Sequence, residues 1–295
     1  MFVATLIAAP TGAGLPAHAL VDIARELGVR AETADWLDSD FAAEVAFEVS
    51  PSAEQRRAVA QIATAGRFDC VVQQRAGRRK RILIADMDST MIGEECIDEL
   101  AAEVGIKDRV AAITARAMNG EIEFEPALRE RVALLAGLPE AVVAKVISER
   151  ITLAPGSATL VATMRANGAY TALVSGGFTV FTGPIAARLG FHENRANRLF
   201  TEAGQLTGHV EEPILGALAK VTALEAIAAG RGVGAEHAIA VGDGANDLGM
   251  IKRAGTGIAL HAKPAVAAQA PHRIDHGDLT ALLFVQGYRR DEFRQ

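Results

Sequence analysis

Two aspartates spaced i, i+2, Asp86 and Asp88, close the run Ile82-Leu83-Ile84-Ala85-Asp86-Met87-Asp88-Ser89-Thr90. In such a pair one carboxylate can attack phosphorus while the second moves protons, and Ser89 and Thr90 add hydroxyls that bind oxygens. An apolar, β-branched run of this length reads as a buried strand. The strand carries both carboxylates to its carboxyl end, where open α/β sheets hold their ligands. Taken alone, these nine residues are described equally well as a strand running into an Asp/Ser turn.

Three further segments place polar groups in the same way. Leu173-Val174-Ser175-Gly176-Gly177-Phe178 reads as a strand end opening a helix, with one hydroxyl and two glycines that suit a phosphate cradle. Ala238-Ile239-Ala240-Val241 runs into Gly242-Asp243-Gly244-Ala245-Asn246-Asp247. A hard cation such as Mg2+ takes oxygen ligands, and Asp86, Asp243 and the backbone carbonyl of Asp88 suit it. Asp247 also reads as a helix N-cap. Lys220, in the first turns of the preceding helix, is a point charge for phosphate and for an attacking carboxylate.

The elements that must position these groups alternate. From Arg81 onward, strands over 82–86, 170–175, 237–242 and 256–260 are separated by helices over 157–167, 179–189, 218–229 and 246–254, with a hairpin within 199–210. This is the pattern of an α/β fold with a mainly parallel sheet covered on both faces. The nearly all-helical block over 94–150 is too long for a crossover. It predicts a helical cap, about 92–152, inserted after the first strand of a unit covering 77–295. Residues 1–76 predict a separate α+β unit: strands over 2–8, 43–49 and 68–73, a helix over 16–27 closed by Gly28, and a helix over 52–65 opened by a Ser52/Gln55 capping box.

Composition narrows the function classes. The 295-residue chain is 50% hydrophobic and 22% charged, with a net charge of −6, which argues against nucleic acid as a partner. The basic run over 75–81 reads as a solvated linker. Cys70 and Cys96 form no C-x-x-C pair and fit free thiols in a reducing cytoplasm. No apolar stretch has the length of a membrane helix, and the N-terminus lacks the positive region of a signal peptide. The expectation is a cytoplasmic protein with no membrane partner.

In this order, DMDST, SGG, Lys220 and GDGAND resemble the four motifs of the haloacid dehalogenase superfamily of phosphohydrolases, from about Arg81 to the C-terminus. The paired aspartates separate the chain from the dehalogenase branch. P-type ATPases share the first motif but need transmembrane helices. The resemblance implies a Rossmann-like sheet with an inserted cap, Asp86 as nucleophile, Asp88 as proton shuttle and Lys220 as charge partner. It also implies Mg2+ at Asp86, Asp88 and Asp243, a supporting role for Asp247, and contacts from Ser175, Gly176, Lys220 and Asn246 to phosphate or substrate.

The segments over 92–99, 114–120, 124–132 and 196–199 resemble the phosphoserine phosphatase family. That implies O-phosphoserine as substrate, the last step of phosphorylated serine biosynthesis, Glu95 at the substrate ammonium and Arg131 at its carboxylate. Met118 and Phe124 would form an apolar wall. A selective site for this substrate needs one acid, one fork-shaped base and a phosphate cradle, and Phe124 and Arg131, two helical turns apart, share a face. Met87 departs from the Phe frequent in that family. The choice between Glu94 and Glu95 rests on register, with Glu95 fitting the spacing from Asp86. Residues 1–76 resemble an ACT domain, which implies a regulatory or dimerising module, with a homodimer and L-serine as product inhibitor or ligand. The rival readings are a phosphatase or phosphotransferase for another small phosphomonoester, and a non-catalytic amino-acid sensor.

Overall fold

A computed structural model of the chain describes residues 1–16, 18–118 and 121–295, with the side chain of Met118 outside that description. The first part of the chain builds a sheet of its own. β1 (Phe2–Ile7), α1 (Ala19–Glu26), β2 (Asp35–Asp38), β3 (Ala42–Phe47), α2 (Ala53–Gly66) and β4 (Asp69–Gln74) follow one another. The four strands pair antiparallel in the order β2-β3-β1-β4, a split βαβ arrangement. The capping box forms as expected, with the Gln55 N–H donating to Ser52 Oγ at 3.1 Å and the Ser52 N–H to Gln55 Oε1 at 3.0 Å.

Both faces of this sheet are covered, which explains why β1 is apolar at every position but Thr5. Leu6 and Val45 pack with Ile23 and Val59 of the two helices. Ile7 and Val71, on the other face, join the core of the rest of the molecule. On that second face Glu44 is buried, accepting from Thr5 Oγ1 at 3.1 Å and pairing with Arg78. Asp69, also buried, accepts the N–H groups of Asp275, His276 and Gly277 at 2.7, 3.2 and 2.6 Å.

The larger part begins with β5 (Ile82–Ala85). Five helices follow: α3 (Cys96–Glu103), α4 (Lys107–Met118), α5 (Phe124–Ala133), α6 (Ala141–Glu149) and α7 (Ser157–Ala166). Then come β6 (Tyr170–Phe178), α8 (Thr179–Leu189), β7 (Glu193–Asn197), the hairpin of β8 (Leu199–Glu202) and β9 (Gln205–Val210), and α9 (Ala217–Gly230). β10 (Ala238–Gly242), α10 (Leu248–Arg253), β11 (Thr256–Leu260), α11 (Pro264–Ala267), β12 (His272–Ile274) and α12 (Ala281–Val285) complete it. The sheet is parallel throughout, in the order β12-β11-β10-β5-β6-β7.

β5 is central, with Ala85 level with Val241 of β10 and Leu173 of β6. Three strands therefore open their carboxyl ends on one side. Ile82 and Ile84 face Leu224 and Ile227 of α9, whereas Leu83 packs with Leu160 of α7 and Phe181 of α8. Helices α3 to α6 form the cap. Its two connections run side by side, with the Gly93 N–H on the Thr152 carbonyl at 3.1 Å and the Ala154 N–H on the Met91 carbonyl at 3.0 Å.

The strands that the sequence pattern does not announce are β2, β7 and β12. All three lie at sheet edges, where DWLD and ENRAN need no apolar face and a three-residue strand needs no pattern. Among the described residues, no helix is long and apolar enough to cross a membrane.

Candidate active site

Strand β5 hands its last ladder bond to Asp86, whose N–H meets the Val241 carbonyl at 3.0 Å. The carboxylate is buried; its Oδ1 accepts the Met87 N–H at 2.8 Å and lies 2.8 Å from Lys220 Nζ. Lys220, from the first turn of α9 and 2% exposed, also donates to Asp247 Oδ1 at 2.6 Å. Burial alone would lower the lysine pKa, but Asp86 and Asp247 more than reverse that, so it stays charged. Asp247 Oδ2 accepts the Gly244 N–H at 3.0 Å, and a side chain on Gly242 would collide with this carboxylate.

Asp86, Asp243 and Asp247 each bring a carboxylate oxygen within 4.8 Å of the others. Burial, and then the Asp86 charge, push Asp243 up to about 6. The same two causes raise Asp247, against the pull of Lys220. Hard oxygen donors carrying more negative charge than one lysine balances fit a divalent cation. Thr90, buried beneath them, donates from Oγ1 to Asp243 Oδ1 at 2.9 Å.

The Asp88 side chain stands apart from that carboxylate cluster. Its Oδ1 accepts the Cys96 N–H at 2.9 Å and its Oδ2 accepts from Ser175 Oγ at 3.2 Å. Burial, then the Asp86 charge, raise its pKa, which favours a carboxyl that holds its proton. Met87, between the two aspartates, points into the core and is fully buried.

Ser175-Gly176-Gly177 corrects the sequence expectation. The segment does not open a helix; β6 continues through it to Phe178, and α8 begins at Thr179. Pairing with β7 resumes at Phe178, opposite Asn197, and Ser175 Oγ accepts the Gly177 N–H at 2.9 Å. A Cβ on Gly177 would stand 2.7 Å from Asp88 Oδ2, so only glycine leaves Asp88 room. Ser175, Gly176 and Gly177 thus lie at the end of a strand rather than at a helix N-terminus.

The cap supplies the other wall. Glu95 Oε1 accepts from Ser89 Oγ at 2.7 Å, and Ser89 holds a positive φ of 55°, a conformation that non-glycine residues rarely adopt outside constrained sites. Glu94 is committed elsewhere, to the N–H and Oγ1 of Thr152 at 2.9 and 2.6 Å. Glu95, rather than Glu94, lies near the aspartates. Burial, then the Asp88 charge, push Glu95 up to about 8. Arg131 is buried, with Nε on the Ala127 carbonyl at 3.2 Å and Nη1 on Thr114 Oγ1 at 3.1 Å, within electrostatic reach of Glu95 and Asp88. The Phe124 ring lies 3.4 Å from where a Cβ of Gly176 would stand, and Asn246 Nδ2 lies 3.9 Å from the same point. Phe124, Gly176 and Asn246 therefore meet at one spot between cap and core. Met118 sits at the end of α4, and its side chain lies outside the described residues.

Sequence reasoning gave Ser89 and Thr90 only a general oxygen-binding role. In the fold they hold the protein's own carboxylates, Glu95 and Asp243. Asn197 was likewise without a role; its Nδ2 donates to the Gly176 carbonyl at 2.8 Å and its Oδ1 accepts the Leu215 N–H at 2.7 Å, tying the strand edge to the loop before α9. Nothing in the residue types alone marks these contacts; those of Thr90 and Asn197 join segments remote in sequence, and that of Ser89 reaches six residues along the chain to the start of α3.

The family model for haloacid dehalogenase-like hydrolases matches residues 83–252, more than half of the chain. A relative from Archaeoglobus fulgidus, named phosphoserine phosphatase, is 42% identical over 236 residues, 79% of this chain and 68% of the relative. Among solved structures, a HAD family hydrolase from Salmonella enterica subsp. enterica serovar Typhi superposes with a TM-score of 0.86 at 31% identity, over 97% of this chain and 98% of that one. A phospho-aspartyl intermediate analogue of phosphoserine phosphatase superposes at 0.66 with 42% identity, over 70% of this chain and 98% of that one.

Proposed function

The chain belongs to the haloacid dehalogenase-like hydrolase family, and from that premise we propose that it is a phosphatase that hydrolyses O-phospho-L-serine to L-serine and phosphate. The observation that carries this reading is the convergence of Asp86, Lys220 and Asp88 at the mouth of β5, facing Glu95 and Arg131 from the cap. The first three supply phosphoryl chemistry. The last two match the ammonium and carboxylate of an α-amino acid.

An Asp86 oxygen attacks phosphorus in line, and the bond from phosphorus to the serine oxygen breaks, leaving an aspartyl-phosphate. Asp88 gives its proton to the departing serine oxygen. The resulting carboxylate then takes a proton from water, which attacks phosphorus and frees Asp86. Lys220 keeps Asp86 ionised before attack and offsets the phosphoryl charge afterwards. Asp247 fixes the Lys220 ammonium, and Ser175 and Asn246 bind phosphoryl oxygens at the strand edge. Asp86, Asp243 and the Asp88 carbonyl, with Asp247 in support, would hold Mg2+, which would supply further charge neutralisation.

Among the described residues Glu95 forms no ion pair, although Arg131 lies within electrostatic reach, and a substrate ammonium completes that site. Phe124 covers the short carbon chain, and Arg131 forks the carboxylate. The division into 1–76 and 77–295, with a cap at about 92–152, belongs to the same proposal. So does the ACT-like reading of the N-terminal unit as a regulatory or dimerising module for L-serine, supported by its strand and helix order. The place of this enzyme is then the closing step of phosphorylated serine biosynthesis in the cytoplasm.

The test compares Arg131→Ala on phosphoserine and on an aryl phosphate that lacks both amino-acid groups. Loss of a buried charge partner costs about 2–4 kcal/mol of binding, roughly a hundredfold in kcat/KM on phosphoserine. Turnover of the aryl phosphate stays near that of the unaltered protein. Equal losses on both substrates would sink the carboxylate role.

A further inference from the structure

Asp98 lies in the cap with a task the reaction has not used. It sits in the first turn of α3, three residues after Glu95, the extended N-cap residue of that helix. Its Oδ1 is buried and, among the described residues, has no hydrogen-bond partner. Buried side-chain oxygens are nearly always paired, so an orphan one needs an explanation. The strongest charge acting on Asp98 is Arg131, ahead of Lys107, and the strongest charge acting on Arg131 is Asp98, ahead of Glu95 and Asp88. Yet the two side chains form no direct ion pair. Arg131 is tethered instead by the Ala127 carbonyl and Thr114 Oγ1.

We propose that Asp98 is the positioning residue for Arg131: its unpartnered oxygen draws the guanidinium toward α3 and holds the free edge of the fork facing the substrate carboxylate. Two kinds of constraint then act on the guanidinium, the hydrogen bonds to Thr114 and Ala127 and the charge of Asp98. Without Asp98 the remaining attractions are Glu95 and then Asp88, and a guanidinium collapsed onto Glu95 would mask the groups for both ammonium and carboxylate. A neutral Asp98 would leave Arg131 tethered at Nε and one Nη but free to turn about that edge. The proposal rests on the phosphoserine reading, because it gives Arg131 a carboxylate to meet.

The experiment uses the full-length protein loaded with Mg2+ and two substrates, phosphoserine and an aryl phosphate. Asp98→Asn keeps the side-chain volume and removes the charge. It raises KM for phosphoserine on the order of tenfold, leaves kcat near its starting value, and leaves both constants for the aryl phosphate unchanged. Thr114→Val, which removes the hydrogen bond to one Nη and keeps Asp98, raises the same KM and again spares the aryl phosphate. Equal losses on the two substrates would mark a merely structural residue, and an unchanged KM for phosphoserine in both variants would likewise overturn the proposal. If the unaltered protein shows no preference for phosphoserine over the aryl phosphate, it is the function reading that fails, and the two failures are told apart by that control.

Discussion

The N-terminal sheet and the catalytic sheet both bury carboxylates, and they treat them in opposite ways. Glu44 has both oxygens occupied, by Thr5 and by the fork of Arg78. Asp69 has both oxygens filled by three backbone N–H groups from the turn after β12. At the end of β5, by contrast, Asp86, Asp243 and Asp247 crowd within 4.8 Å around one lysine. Of the satisfied carboxylates, Asp69 ties the N-terminal sheet to the turn after β12 and Glu44 fixes Arg78 of the linker, whereas the crowded ones form a cluster that a cation would balance. Uncompensated buried charge lowers stability and is retained where chemistry needs it.

The largest effect that separates the two regions is metal removal. Exhaustive chelation should abolish phosphatase activity, and Mg2+ at a hundred times its dissociation constant should restore it and add about 2.7 kcal/mol of stability. That gain should vanish in Asp243→Asn and persist in Glu44→Ala. Activity untouched by chelation would remove the distinction.

Next in size is Glu44→Ala, which strands the half-buried Arg78. It should cost about 3–5 kcal/mol of stability by denaturant unfolding, while kcat on the remaining folded protein changes little. A large fall in kcat would mean that the N-terminal sheet takes part in the reaction.

The smallest effect is a pH dependence. Glu95, pushed up to about 8 by burial and then by Asp88, must be ionised to take an ammonium. Its proton therefore competes with phosphoserine below that pH. KM for phosphoserine should rise by up to about tenfold per unit as pH falls below 8. An aryl phosphate shares the phosphate titration but lacks the ammonium, and parallel profiles for the two substrates would contradict this role of Glu95.

Much of the core was legible from pattern. The strand of Ile82–Ala85 is apolar on both faces, so its burial and its carboxyl-end aspartates followed from residue types. The helical cap followed from the length of an uninterrupted helical block. What escaped has physical reasons. Edge strands such as Glu193–Asn197 pair through the backbone and carry no apolar signature. Ser175-Gly176-Gly177 looks like a helix opening, but strand pairing at Phe178 keeps it extended. Thr90 and Asn197 act through contacts with Asp243 and with Gly176 and Leu215, and only folding brings those partners near. Glu95 could be separated from Glu94 only once Thr152 was seen to occupy the latter.

The central claim is that Asp86 carries the phosphoryl group. Acid quenching during turnover of phosphoserine with Mg2+, followed by peptide mass mapping, tests it most directly. One phosphoryl group on the peptide containing Asp86, absent together with all turnover in Asp86→Asn, is the predicted result. Phosphorylation of a different residue, or an Asp86→Asn protein that still hydrolyses phosphoserine, would contradict it.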